Sequence, residues 1–291
     1  NGDGKFDEEK LLRATPGGVG HGRNGLALGP DGLIYAIMGD SVKLPKDGVD
    51  YTSPHRLKQN VFRPNEGHVL RFDKEGGSPE VYCAGLRNPY GIHFNADGEA
   101  FTFDADAEFD MGAPWYRPTQ VKHLTRGADF GWRAVTGAWP PYFPDHPDNA
   151  QPTLDIGKSS PTGVKFGTHS HFPPNYQKAF FILDWTYGRI LAVHLTPNGS
   201  GYRGRAEVFL RGRPLNVTDL DFGPDGAMYF VTGGRKTQSA LYRVRYTGPK
   251  TQPPARSPQQ EARALSAHLL RTERKRAATL VDSFPPRVFD Q

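Results

Sequence analysis

The sequence predicts an all-β chain folded as a β-propeller, and three observations carry that prediction. An Asp-Gly turn between apolar strand ends recurs at a near-constant interval. Gly and Pro are plentiful (34 and 26 of 291 residues), while helix-forming runs are scarce before residue 258. Two of the short strand candidates between these turns alternate apolar and polar residues cleanly, as half-buried strands do. Short strands joined by Gly, Pro and Asp turns suit this composition, and the length suffices for a full core in one unit.

The recurring turn reads Leu28-Gly29-Pro30-Asp31-Gly32-Leu33-Ile34-Tyr35 first and Phe94-Asn95-Ala96-Asp97-Gly98-Glu99-Ala100-Phe101 second. It returns as Phe222-Gly223-Pro224-Asp225-Gly226-Ala227-Met228-Tyr229. Asp-Gly favours the positive-φ turn that joins two twisted antiparallel strands. The first two copies lie about 66 residues apart and the last two about 128, near two units of about 64. A further copy is expected between Thr162 and Trp185, where Val164-Lys165-Phe166 and Phe180-Phe181-Ile182-Leu183 flank a degenerate turn, Pro173-Pro174-Asn175-Tyr176. Outer strands are expected at His68–Phe72, Ile190–Leu195 and Leu241–Tyr246. A four-stranded unit at this period is a propeller blade, and about four are visible. A β-sandwich with chance turn similarity is the alternative.

The pattern stops after Tyr246. Residues 247–258 read as a Pro-rich linker, and residues 259–291 as a helical tail or the start of a following domain. The chain opens with Asn1, without an initiator Met, so a processed piece or fragment is expected.

Composition excludes several classes. The sequence pI is about 9.2, but basic residues gather in the tail around Arg256 to Arg276 instead of alternating with aromatics along one face. No nucleic-acid partner is therefore expected. A single cysteine, Cys83, excludes an internal disulfide and any multi-cysteine metal or haem-attachment motif, and it reads as a small apolar core residue. No apolar run is long enough to span a bilayer. A Gly-rich phosphate motif, a Ser-nucleophile elbow and an HExxH helix are all absent.

The candidate chemistry begins at Leu86-Arg87-Asn88-Pro89-Tyr90-Gly91-Ile92, a loop between apolar strands, with Phe130-Gly131-Trp132 downstream. A guanidinium presents fixed donors to carboxylate or carbonyl oxygens, and an amide adds a donor and an acceptor. His21 stands between glycines at the start of an inner strand, and a histidine titrates near neutrality, as a base for a hydroxyl proton must. The run Phe103-Asp104-Ala105-Asp106-Ala107-Glu108-Phe109-Asp110 offers hard oxygen donors that suit Ca²⁺, although solvated turn acids give the same pattern. His169 and His171 read as surface or core-edge histidines, with metal or sugar binding as the sharper alternative.

The Arg87-Asn88 loop and the strand that starts at His21 resemble the soluble quinoprotein sugar dehydrogenases, the glucose/sorbosone dehydrogenase family. The resemblance covers roughly residues 15 to 246 and is closest to a divergent branch labelled membrane-bound dehydrogenases. It implies a six-bladed β-propeller, which would leave one or two blades on the N-terminal side of this chain. It implies pyrroloquinoline quinone (PQQ) and Ca²⁺ as cofactors, with His21 as general base. Arg87, Asn88 and Tyr90 would lie against the quinone, Tyr90 standing at the family's usual glutamine. Asp104, Asp106 and Glu108 would hold the metal. It further implies a sugar or alcohol substrate, a cytochrome or haem electron acceptor, and a periplasmic or extracellular location.

Two departures bear on the quinone. The segment Leu183-Asp184-Trp185-Thr186-Tyr187-Gly188-Arg189 lacks the family's lysine, and Asp184 is expected to repel a tricarboxylate. Pro214-Leu215-Asn216-Val217-Thr218-Asp219 lacks its two arginines. A binding propeller that has lost the quinone and recognises glycans or proteins is the rival reading, and a calcium-dependent lactonase a third.

Overall fold

A computed structural model describes residues 8–15, 20–52, 66–105, 118–132, 149–249 and 251. Within these residues the chain forms sixteen strands in four sheets and one short helix. The first sheet holds β1 (Arg23–Leu28), β2 (Ile34–Met38), β3 (Val49–Asp50), β4 (Gly67–Phe72) and β5 (Glu80–Leu86), in the order β1-β2-β4-β5-β3. The second is β6 (Ile92–Phe94), β7 (Ala100–Asp104), β8 (Thr119–Leu124) and β9 (Leu154–Gly157). The third is β10 (Pro161–Phe166), β11 (Phe180–Asp184), β12 (Arg189–Asn198) and β13 (Gly201–Arg211). β14 (Val217–Phe222), β15 (Met228–Thr232) and β16 (Ala240–Val244) make the fourth.

Each sheet is an antiparallel meander that starts on an innermost strand, which is the blade of a propeller. Of the strands expected to be outermost, β16 is the last of its described sheet, whereas β4 and β12 sit third. In the first three sheets a further strand lies outside the third, because the chain turns back once more before crossing to the next blade. The first sheet adds β3, paired parallel to β5, which covers an edge that would otherwise present unpaired backbone groups.

The repeat has a physical basis in the turns. Gly32, Gly98 and Gly226 have φ of 75°, 80° and 69°, which a side chain would resist. The same type of backbone bond closes all four turns: Gly29 N–H to Leu33 O, Asn95 to Glu99, Gly167 to Ala179 and Gly223 to Ala227. In the third blade the expected degenerate turn contains α1 (Pro174–Gln177), an insertion that leaves this bond in place. The turn aspartates also reach across their sheets. Asp31 accepts from the Tyr35 hydroxyl (3.0 Å) and Arg71 (3.2 Å), and Asp225 accepts from Tyr229 (2.9 Å) and Arg243 (2.6 Å).

Successive sheets pack face to face, so strands buried on both sides send alternate residues into different cores. On β11, Phe180 and Ile182 join Phe101, Phe103 and Phe166 of the second and third blades. Phe181 and Leu183 join Val217, Met228 and Phe230 towards the fourth. Cys83 lies in the core between the first two blades, and burial pushes its thiol far above the ordinary range. The linker beyond Thr251, the expected helical tail, Asp106, Glu108 and the acidic opening Asn1–Lys5 lie outside the described residues.

Candidate active site at the inner-strand mouth

The innermost strands β1, β6, β10 and β14 surround a cavity of about 1170 Å³. One end of it is bordered by Asn24, Gly25, Tyr90 and Gly163, near the starts of these strands. On that face the chain enters each blade and also crosses from its second to its third strand. His21 and Arg87-Asn88 stand in the incoming loops of the first and second blades, so the fold brings them to one face.

His21 and Asp40 are the central pair. Asp40 follows the end of β2, and its Oδ1 lies 2.7 Å from His21 Nδ1. The Trp132 indole N–H donates to the other carboxylate oxygen at 3.1 Å. Backbone bonds lock the crossing: Gly39 N–H to Gly22 O (2.8 Å), Ser41 N–H to His21 O (3.0 Å) and Asp40 N–H to Arg87 O (2.7 Å). Gly39 is required there, since a Cβ at that position would meet the His21 carbonyl carbon at 2.6 Å and Asn88 Oδ1 at 2.8 Å. A carboxylate only accepts, so the pair fixes the imidazole with its proton on Nδ1 and its lone pair on Nε2. The His21 side chain is one-third exposed and Asp40 nearly buried (33% and 13%), so the base is reachable while its anchor is not.

The Arg87 guanidinium lies 5.5 Å from the centre of the Trp132 ring. Trp132 is held against the end of β5 by its N–H to Gly85 O (2.9 Å). Asn24 on β1 donates to Asn88 Oδ1 (3.0 Å) and to Pro89 O (2.7 Å), which ties the two incoming loops together. Tyr90 borders the cavity and is 43% exposed.

Asp104 has a different role from the one expected of it. It is fully buried at the end of β7 and accepts the backbone N–H groups of Arg87 (3.1 Å) and Asn88 (2.9 Å). Lys122 Nζ sits 2.8 Å from it. An ammonium at that distance occupies the place a metal would take, so Asp104 does not fit a calcium site. Among the described residues no three His, Cys, Asp or Glu side chains cluster as metal ligands.

Asp184 takes the corresponding place on β11. It accepts Ser160 N–H (3.0 Å) and Tyr187 N–H (3.3 Å), and it pairs with Arg189 (2.7 Å). Its charge is compensated inside the blade, which removes the expected repulsion of an anionic ligand. His169 borders the cavity, whereas His171 lies against the Gly226 turn, so the two do not form one site.

Sequence reading missed Asp40, Asn24 and Lys122, and it gave Trp132 no role. A signal for Asp40 was present: Tyr35-Ala36-Ile37-Met38-Gly39-Asp40, Ala100-Phe101-Thr102-Phe103-Asp104 and Phe180-Phe181-Ile182-Leu183-Asp184 each end an apolar strand on an aspartate.

Residues 3–243 match the Glucose / Sorbosone dehydrogenase family profile. The chain belongs to this family. It is 24% identical over 145 residues to quinoprotein glucose dehydrogenase B of Acinetobacter calcoaceticus, covering 44% of this chain and 29% of that protein. The HIPL1 protein of Arabidopsis thaliana is 27% identical over 153 residues, covering 45% and 20%. The chain thus spans less than a third of the length of either curated relative. Among solved structures, an oxidoreductase of the glucose dehydrogenase type from Thermus thermophilus superposes with a TM-score of 0.57 at 23% identity, over 79% of this chain and 68% of that one. The PQQ-bound aldose sugar dehydrogenase of Streptomyces coelicolor gives 0.52 at 17%, over 78% and 64%. These likenesses support the propeller fold. Among the described residues no helix is long and apolar enough to cross a membrane.

Proposed function

We propose that this protein is a quinone-dependent sugar or alcohol dehydrogenase with His21 as general base. The observation that carries the reading is the 2.7 Å contact of His21 Nδ1 with Asp40, whose other oxygen is fixed by Trp132. Nε2 is thereby the basic nitrogen and takes the proton of a substrate hydroxyl. PQQ, when bound, supplies the acceptor for the hydride leaving the same carbon. Arg87, Asn88 and Tyr90 would hold it, and the residues present suit this. A guanidinium is a preorganised charge for an oxygen that becomes negative. Asn88, whose oxygen is taken by Asn24, offers its N–H donors. Tyr90 offers an exposed ring. No calcium step is proposed.

The wider frame is a six-bladed ring in the periplasm or outside the cell, reoxidised by a cytochrome-type acceptor. Leu26 and Leu28 on the first blade and Val231 and Leu241 on the fourth are exposed and border the same cavity, which leaves room for further sheets between them.

The test is sugar-dependent reduction of an artificial dye by protein loaded with the quinone, with His21→Ala alongside. The variant is expected to bind quinone normally and to lose about 10²- to 10⁴-fold in rate. Folded protein that takes up no quinone would leave a binding propeller as the better reading.

A further inference from the structure

The opposite side of the same face carries a second set of groups that the reaction above does not use. The connection from β15 to β16 opens with four successive residues in the left-handed half of backbone space. Gly233, Gly234, Arg235 and Lys236 have φ of 147°, 87°, 46° and 67°. Two adjacent non-glycine residues in that region are uncommon, and such a conformation persists only where its surroundings hold it. Here the hold comes from the neighbouring blade. The Trp185 indole N–H donates to Gly233 O (2.7 Å), Asn216 Nδ2 donates to Trp185 O (3.1 Å), and Gly233 N–H donates to Asn216 O (2.9 Å). Thr237 closes the loop on Gly234 O through its hydroxyl (2.6 Å) and its N–H (3.0 Å).

The loop thus holds the Arg235 guanidinium 5.6 Å from the centre of the half-buried Trp185 ring. Arg235 and Lys236 are both exposed, and no described carboxylate pairs with either. Other cations of these two blades differ: Arg189, on the same face, pairs with Asp184, and Lys165 and Arg243, towards the other end of their strands, pair with Asp221 and Asp225. Like the residues after β2 that carry Asp40, both this loop and the Trp185 turn connect the second strand of a blade to the third. They therefore stand on the face that carries His21, with Gly163 and Val231 on their side of the cavity and Asn24 and Tyr90 on the other.

We propose that Arg235, against the Trp185 indole, and its exposed neighbour Lys236 form a carboxylate-binding pole that receives a ring-shaped ligand bearing a carboxyl group. A guanidinium offers paired donors that match a carboxylate, the ammonium adds charge, and the indole face covers the adjoining ring. The carboxylate belongs either to a sugar acid or to PQQ. The inference rests on the dehydrogenase reading only for the ligand's second end, which would reach towards His21; the binding itself does not depend on turnover.

Binding is read without catalysis, by tryptophan fluorescence for D-glucuronate and D-glucose and by equilibrium dialysis for PQQ. Wild-type protein is compared with Arg235→Gln/Lys236→Gln, Trp185→Phe and His21→Ala. At least one carboxylate is expected to bind saturably and to weaken at high salt. It should lose about tenfold or more in affinity in the double variant. Glucose should not distinguish the double variant from wild type. Trp185→Phe should remove the fluorescence response to glucuronate, and His21→Ala should retain carboxylate binding. Whichever carboxylate shows the loss identifies the source. Equal affinity of wild type and double variant for both carboxylates, or no saturable binding of either by folded protein, would overturn the proposal. Protein that binds a carboxylate at this pole yet never reduces the dye would leave it standing and remove only the dehydrogenase reading.

Discussion

Asp40 in the first blade and Asp104 in the second occupy nearly the same place, at the end of the second strand and against the chain entering their own blade. Asp104 is fully buried and binds two backbone N–H groups and a lysine. Asp40 is displaced one residue by Gly39, and it binds the side chains of His21 and Trp132. Asp184 in the third blade follows Asp104, with Ser160 N–H and Arg189 as partners. A carboxylate at this position is therefore part of how a blade is built. It becomes part of a site only where the incoming loop offers an imidazole in place of its backbone. The comparison also shows why an acidic residue near a suspected cofactor is weak support for a metal: the acid had a structural use already.

The sharpest way to break this comparison is to remove the buried acid. Asp104→Ala leaves the Lys122 ammonium, whose side chain is 5% exposed, without its partner and frees two amides. A loss of about 3–5 kcal/mol is expected in chemical unfolding, and Asp104→Ala/Lys122→Met should recover part of it. Asp184→Ala should cost less, about 1–2 kcal/mol, because Arg189 is 24% exposed and water can take over its solvation. Equal losses at the two positions would contradict the assignment by burial.

The joint between the second and third blades sharpens it further. His93 Nδ1 accepts the Phe166 N–H (3.2 Å), and burial pushes the imidazole down to about 4. The unfolded chain binds this proton near pH 6.5, so the contribution is fully present above that pH and is lost as pH falls towards 4. Acid titration of stability should show a fall of about 2–3 kcal/mol through this window. His93→Gln should flatten it.

The smallest stability effect is expected at Asp40. Asp40→Asn keeps the shape of the side chain and should change stability by about 1 kcal/mol or less. It should nevertheless lower dye reduction about tenfold or more, since an amide can offer Nδ1 a donor and reverse the tautomer. A variant that unfolds like Asp104→Ala would make Asp40 scaffold as well.

Much of the fold could be read from residues close together in the chain. The Asp-Gly turns are fixed by local chemistry, and those at Asp31 and Asp225 then draw a tyrosine and an arginine into place, so their period carried the blade. The degenerate third copy held because the bond from Gly167 to Ala179 closes the turn whatever is inserted between them. The candidate site was legible only in part. His21, Arg87 and Asn88 stood out by their neighbours, whereas the strand-ending aspartate that marks Asp40 equally marks the scaffold acids Asp104 and Asp184, and Trp132 lies 92 residues from the carboxylate it holds. The strands β9 and β13, each at the edge of its sheet, were missed because they bury too little to show a clean pattern.

By itself the sequence determined the repeating antiparallel unit, the positive-φ turns and the residue types able to do acid–base and anion chemistry, because these follow from steric and chemical properties of neighbours in the chain. Only the tertiary structure decided which carboxylates are consumed by the scaffold. Whether Asp40, Asp104 and Asp184 meet an imidazole, a lysine or an arginine depends on how the strands of each blade and its incoming loop are brought together, and on how much water remains there.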